Sequence, residues 1–265
     1  MYFEDLWKSF SELPEITAIA LGGSRAGADY DEKSDYDLYL YCTGLPEESV
    51  RKSILEKNCG YMEIGNSFWE LEDDCTLKDG TDIDILYRSM DDFRDGLAAV
   101  VEQGAAYNGY TTCMWHNLLT CRILYDRDGA LQSLKNRFDV DYPMKLKRNI
   151  ISRNRRLLHG YLPSYDGQIR KAASRNDMVA VNHRTAAFME SYFDILFALN
   201  EMTHPGEKRM VELLLKNAQV LPADFEENIQ SLYGCLFSDP EGAMRILAEM
   251  LQNLEAVLPA SLEQS

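Results

Sequence analysis

Two short stretches of the chain hold residues whose types and spacing suit chemistry on phosphates. The first is Gly22-Gly23-Ser24-Arg25, followed by a polar loop and then Asp35-Tyr36-Asp37-Leu38. Paired glycines let the backbone approach an anion with no Cβ in the way. A turn opening into a helix points free N–H groups at that anion. The Ser24 hydroxyl adds a donor and Arg25 a charge. Asp35 and Asp37 are two apart, so on a strand both side chains face the same side. Carboxylates held together repel unless a cation sits between them, and hard oxygen ligands beside a triphosphate select Mg²⁺. The second stretch, Gly80 to Arg88, offers a third acid. Asp82 and Asp84 face one side there, while Ile83 and Ile85 face the core. Asp84 is preferred because it lies deeper in the apolar run, where an unpaired carboxylate is costlier to bury. Asp82 is the reserve.

These residues need strands and turns to hold them. Ile16 to Leu21 reads as a buried strand running into the glycine turn. Asp37 to Cys42, Phe68 to Leu71, Ile83 to Tyr87 and Arg122 to Tyr125 are further strands, the last entering a turn at Asp126 to Gly129. Helical patterns cover residues 3–13, 46–58 and 89–103, with Ser89 as an N-cap. From Pro143 onward the period is helical throughout, over 143–159, 177–200, 205–217, 223–236 and 240–257. The expected fold class is therefore α+β: a mixed-sheet α/β domain over residues 1–140, then an all-α helical bundle over 141–265. The Walker A pattern fails because Ala28 follows Gly27. The dinucleotide fingerprint fails because Ser24 stands where its second glycine belongs.

Composition narrows the function. The 265 residues carry 43 Asp and Glu against 27 Lys and Arg, a net charge of −16. Such a surface repels phosphate backbones, which argues against nucleic-acid binding and a template-dependent polymerase but leaves room for a local nucleotide pocket. The six cysteines form no CxxC pair and no zinc spacing, so they are read as reduced thiols. There is no signal-peptide pattern at the start and no apolar run long enough to span a membrane, so a cytoplasmic address is expected.

Gly23-Ser24, ten intervening residues and Asp35-Tyr36-Asp37-Leu38 together resemble the signature of the DNA polymerase β-like nucleotidyltransferase superfamily. The resemblance implies that the Gly-Ser turn holds a triphosphate. It also implies that Asp35, Asp37 and Asp84 bind two Mg²⁺ ions as the catalytic acids. A small α/β domain followed by helices is similar to the antibiotic adenylyltransferases of streptomycin and lincosamide type. The implied reaction moves AMP from ATP to a hydroxyl of a small-molecule acceptor, such as an aminoglycoside or lincosamide, with release of pyrophosphate. The segment Asn200 to Lys208 resembles one in which a lysine at a helix start reaches the nucleotide phosphates, which assigns Lys208 to the nucleotide beside Gly23, Ser24 and Arg25.

Other features stay open at this level. Glu70 and Glu72 share a strand face, and either could be the general base or merely exposed. Lys145 to Arg156 holds six basic residues and no acid, which suits an acidic patch on the other domain better than a nucleic acid. Arg153, Asn154 and His159 match the loose Arg-Asn-x4-His pattern of HEPN ribonucleases. The alternative functions are thus a toxin–antitoxin type protein, acting on a protein or on RNA, or a nucleotide-binding regulator without turnover.

Overall fold

A computed structural model describes residues 2–27, 34–67 and 70–259. The chain divides into two compact units. One comprises residues 1–98 and 117–140, the other 99–116 and 141–265.

The first unit begins with α1 (Tyr2–Ser11), β1 (Ile16–Leu21), the short α2 (Gly23–Ala26) and β2 (Tyr36–Cys42). It continues with α3 (Glu48–Asn58), β3 (Cys59–Asn66), β4 (Glu72–Leu77), β5 (Asp82–Ser89) and the start of α4 (Met90–Val101). The chain returns through α5 (Cys113–Thr120), β6 (Arg122–Asp126) and α6 (Ala130–Phe138). Among the described residues, six strands form one mixed sheet in the order β3-β4-β5-β2-β1-β6, in which only the β2–β5 pair is parallel.

Period-two alternation sorts the sheet into two faces. Leu38, Leu40, Ile83, Ile85, Cys75 and Leu77 point to one of them and pack with Leu6 and Phe10 of α1 and Ile54 and Leu55 of α3. Each large side chain buried this way is worth about 1.5–3 kcal/mol before conformational entropy is counted. The turn expected after β6 forms around Gly129, which is left-handed at φ 69°. The Asp126 carboxylate accepts from the backbone N–H groups of Leu131 (3.3 Å) and Gln132 (2.8 Å), closing the open end of α6.

Two strands escape a periodicity reading, and β4 is the instructive one. Its sequence, Glu-Asp-Asp-Cys-Thr-Leu, carries no apolar run. The structure instead buries Asp73 completely. The Asp73 carboxylate accepts from the Arg51 guanidinium, from the Tyr87 hydroxyl at 2.7 Å and from the Gly65 N–H at 2.9 Å. An ionised carboxylate tolerates burial only when paired and hydrogen-bonded in this manner. β3 is an edge strand with mostly half-exposed or exposed residues, so it shows no apolar stripe. Of the expected strand Phe68 to Leu71, residues 68 and 69 lie outside the described residues, and strand geometry begins only at Glu72.

The second unit is helical: the end of α4, the start of α5, then α7 (Met144–Leu158), α8 (Tyr165–Ala173), α9 (Met178–Leu199), α10 (Met210–Asn217), α11 (Phe225–Cys235) and α12 (Pro240–Val257). α9 is the buried axis, and Phe188, Tyr192, Ile195, Leu196 and Phe197 are enclosed. Asp177 caps α9 through Ala180 N–H, and Asp239 caps α12 through Gly242 N–H, with Pro240 in the first turn. The helix expected from residue 205 starts only at Met210, because Gly206 (φ 104°) and Arg209 (φ 57°) are left-handed. Among the described residues, no helix is long and apolar enough to cross a membrane.

Polar groups inside this unit make a pH prediction. His204 is fully buried between the rings of Tyr110 and Phe197, and its Nδ1 accepts from the Gly206 N–H. Burial, helped by nearby His116, holds its imidazole down at about 3. A histidine unfolded at about 6.5 binds the proton the folded state refuses. Its stability contribution is therefore complete above pH 6.5 and is lost as the pH falls towards 3. Asp194, raised by burial to about 6, acts in the opposite sense, costing stability as the pH rises from its unfolded value through 6. The expected result is that His204→Phe flattens the acid limb of a urea-midpoint profile between pH 6.5 and 4.5, by up to about 1.4 kcal/mol per pH unit. Parallel profiles for wild type and variant would exclude His204 as the titrating group.

Candidate active site

The glycine turn and the acids meet in the first unit. Gly22 N–H donates to the Asp37 carbonyl at 2.8 Å, tying the turn to the start of β2. Gly23 is left-handed at φ 57°, and a Cβ placed on it would lie 1.7 Å from Asp37 Oδ2. A Cβ on Gly22 would meet the Tyr39 ring at 2.3 Å. The turn therefore lies directly against the Asp37 carboxylate, and only glycine allows it. Gly23→Ala is expected to cost about 1–2 kcal/mol for its backbone conformation alone, with more for displacing Asp37. A denaturant melt matching wild type would refute this packing.

Asp84 stands beside Asp37. The two are register partners on the parallel strands β2 and β5, and Asp74 of β4 is the antiparallel partner of Asp84. Alternation then places Asp37, Asp84 and Asp74 in a row across three strands, on the face opposite the α1 core. Asp74 also accepts from Asn66 Nδ2 at 2.6 Å. Asp82 is occupied by the Thr76 hydroxyl at 2.8 Å and is exposed. Glu72 belongs to the same acidic face. Its carboxyl is raised by burial first and then by the charges of Asp74, Asp84 and Glu70. Glu70 is spoken for: Arg88 grips it in a two-pronged ion pair at 2.7 and 2.8 Å while stacking 4.0 Å from the Tyr39 ring.

Asp35 lies in the segment just before β2, and residues 28–33 lie outside the described residues. Ser24 follows Gly23 in α2, and its carbonyl accepts from the Gly27 N–H. Arg25 is turned elsewhere. Its guanidinium lies 4.2 Å from the Tyr36 ring and its Nε donates to the Ser34 carbonyl at 2.6 Å. Tyr36 stacks on Phe3 of α1, so this side chain sits on the face opposite Asp37. Lys208 is exposed in the short segment before α10 and belongs to the second unit, not to the unit that carries the acids.

The donor set suits Mg²⁺, which takes one or two carboxylates and fills its remaining positions with water and substrate phosphate oxygens. Among the described residues, no three His, Cys, Asp or Glu side chains form a group that could hold a metal ion, so the expected set of Asp35, Asp37 and Asp84 does not converge here. Asp37 and Asp84 stand side by side as register partners. Asp74 was missed in the sequence because β4 was; its only signal was the two-residue spacing of Glu72, Asp74 and Thr76 around the inward Asp73, Cys75 and Leu77.

The remaining motifs are absorbed by packing. Asn154 of the Arg-Asn-x4-His pattern is fully buried and donates to Asp194 Oδ2 at 3.0 Å and to the Tyr107 carbonyl at 3.1 Å. His159 lies just past the last turn of α7, 3.7 Å from Glu255 Oε1. In the basic run of α7, Lys147 pairs with Glu201 and Arg155 with Glu255, both within the second unit.

Comparison with known proteins adds the following. Residues 110–210 match a family described as a domain of unknown function, DUF4037. No curated protein sequence matches the chain. Solved structures that resemble it include a nucleotidyltransferase-like protein from Exiguobacterium sibiricum, at 11% identity and a TM-score of 0.45, over 97% of this chain and 73% of that one. Another is an aminoglycoside 6-adenyltransferase from Bacillus subtilis, at 11% identity and a TM-score of 0.30, over 98% of this chain and 93% of that one.

Proposed function

We propose that the chain is a Mg²⁺-dependent nucleotidyltransferase that moves AMP from ATP to a hydroxyl of a small, cationic acceptor. The observation that carries this reading is the seat of Gly23 on the Asp37 carboxylate, with Asp84 next in register. It joins a turn suited to phosphates to a pair of acids suited to a divalent cation. The Gly23 backbone and the Ser24 hydroxyl bind the β- and γ-phosphates, and Asp37 and Asp84, with Asp35 contributing from the preceding loop, hold the metal. Bound Mg²⁺ supplies charge neutralisation at the reacting phosphate and on the departing pyrophosphate. Glu72, on the acidic face and not engaged by Arg88, is placed to take the proton of the acceptor hydroxyl. Lys208 remains assigned to the phosphates by resemblance alone. Asp74 and Glu72 give the same face a charge that favours an amine-bearing acceptor such as an aminoglycoside or a lincosamide. The buried, hydrogen-bonded Asn154 weighs against ribonuclease action in the helical half.

The test is pyrophosphate release from each NTP with Mg²⁺ across a panel of aminoglycosides and lincosamides. Release that requires one acceptor and intact Asp37 supports the transfer and identifies the acceptor. Nucleotide binding with no release against any member would remove the antibiotic assignment. No binding of nucleotide at all would overturn the proposal.

A further inference from the structure

Cys59 and Cys75 meet across the edge of the sheet. Cys59 opens β3, and Cys75 lies within β4. The ladder pairs Cys59 with Leu77 and Cys75 with Met62, with an irregularity just after Cys59, so the two cysteines are diagonal neighbours. Both belong to the core packed against α1 and α3, on the face opposite the acidic row, and both are buried free thiols. The Cys75 thiol donates a hydrogen bond to the Cys59 sulfur. Other buried thiols are engaged differently: Cys42 donates to the Arg88 carbonyl at 3.4 Å and Cys121 to the Leu118 carbonyl at 3.2 Å.

The two thiols are chemically unequal. The bond from Cys75 holds the Cys59 thiol below its ordinary value against the opposing effect of burial, and the charge of Lys78 acts in the same direction as that bond. Cys59 is also the C-cap of α3, where the helix dipole disfavours an anion. Lys78 meets that helix end, its Nζ donating to the carbonyls of Glu56 at 2.9 Å and Lys57 at 2.6 Å. Cys75, as the donor, is kept protonated by the same bond and by burial. Access comes through the strand edge. Among the described residues β3 bonds only to β4, and Gly60, Tyr61, Glu63 and Gly65 are exposed, so opening this edge takes less than global unfolding. We infer that Cys59 and Cys75 form an oxidative modification site that closes to a disulfide when a peroxide reaches it. The Cys59 sulfur attacks one peroxide oxygen, the O–O bond breaks, and hydroxide leaves as water with the Cys59 proton. The Cys75 sulfur then attacks the sulfenic sulfur of Cys59, the S–S bond forms, and the hydroxyl leaves as a second water with the Cys75 proton. The thiols together give up two electrons, and the peroxide takes them. The site is independent of the transfer reading, since neither sulfur shares the face of the acids.

Peptide mapping of the full chain by mass spectrometry tests this. Both cysteines fall in one tryptic peptide, Asn58 to Lys78. The folded, reduced protein is treated with hydrogen peroxide and then alkylated in denaturant. The peptide is expected to lose two hydrogens and to take no alkyl label, and dithiothreitol before alkylation is expected to restore labelling of both sulfurs. Cys75→Ser keeps a donor beside Cys59, and a dimedone adduct is expected there. In Cys59→Ser, dimedone labelling of Cys75 is expected to be about tenfold slower, because the more acidic thiol has been removed. Both cysteines still alkylated at a peroxide dose that converts Met62, in the same peptide, to its sulfoxide would overturn the inference, since the oxidant would then have reached the strand. So would a sulfinic acid at Cys59 with Cys75 still free, or a cross-link from either residue to another cysteine. Equal dimedone labelling in the two variants would overturn the order of attack.

Discussion

Asp37→Asn is expected to lower acceptor-dependent pyrophosphate release by about a thousandfold, on the order of what electrostatic and metal-ion contributions supply. Asparagine keeps the size of the group that Gly23 packs against, so the turn stays seated and only the charge is removed. Asp84→Asn, altering the neighbouring carboxylate in register, is expected to do the same. Asp82→Asn is the internal control. That side chain is exposed and held by Thr76, and its loss is expected to change the rate by less than about threefold, in line with other surface substitutions. Equal losses in all three variants would mean that the acid face acts through overall charge. Full activity in Asp37→Asn would end the assignment.

The largest stability effect is expected at Asp73 and Arg51, outside the candidate site. Both side chains are almost completely buried, at 0% and 4% exposure. Replacing one member leaves the other charge enclosed without its partner, which costs about 3–5 kcal/mol. Asp73→Ala also strands the Tyr87 hydroxyl and the Gly65 N–H, so it belongs at the upper end. The paired replacement Arg51→Met with Asp73→Leu is expected to recover a substantial part of the loss, since apolar side chains of similar volume can replace a buried ion pair at little cost. Urea unfolding of the single and double variants closes the cycle. Additive losses would show that the two residues act separately.

The sequence by itself determined the elements whose periodicity is strong. Ile16–Leu21 is a continuous apolar run and forms β1 with those bounds. The long helices α7, α9, α11 and α12 follow their apolar stripes to within a few residues. The approach of the glycine turn to Asp37 was also legible, because it depends on local geometry: a strand, a turn and a returning strand. What the sequence could not determine was which acids are buried and which chains of polar residues become strands. Glu72 to Thr76 has no stripe to read, since Asp73 takes a core position that only Arg51 and Tyr87, distant in sequence, make affordable. The direction of Arg25 was likewise a tertiary decision. The Tyr36 ring, set against Phe3 of α1, draws its guanidinium across the sheet from Asp37. The acids of β2, β4 and β5 become one row only when strand order and register bring Asp74 and Asp37 to the two sides of Asp84. Spacing along a chain determines which way side chains point; which of them become neighbours is decided by the pairing of strands far apart in sequence.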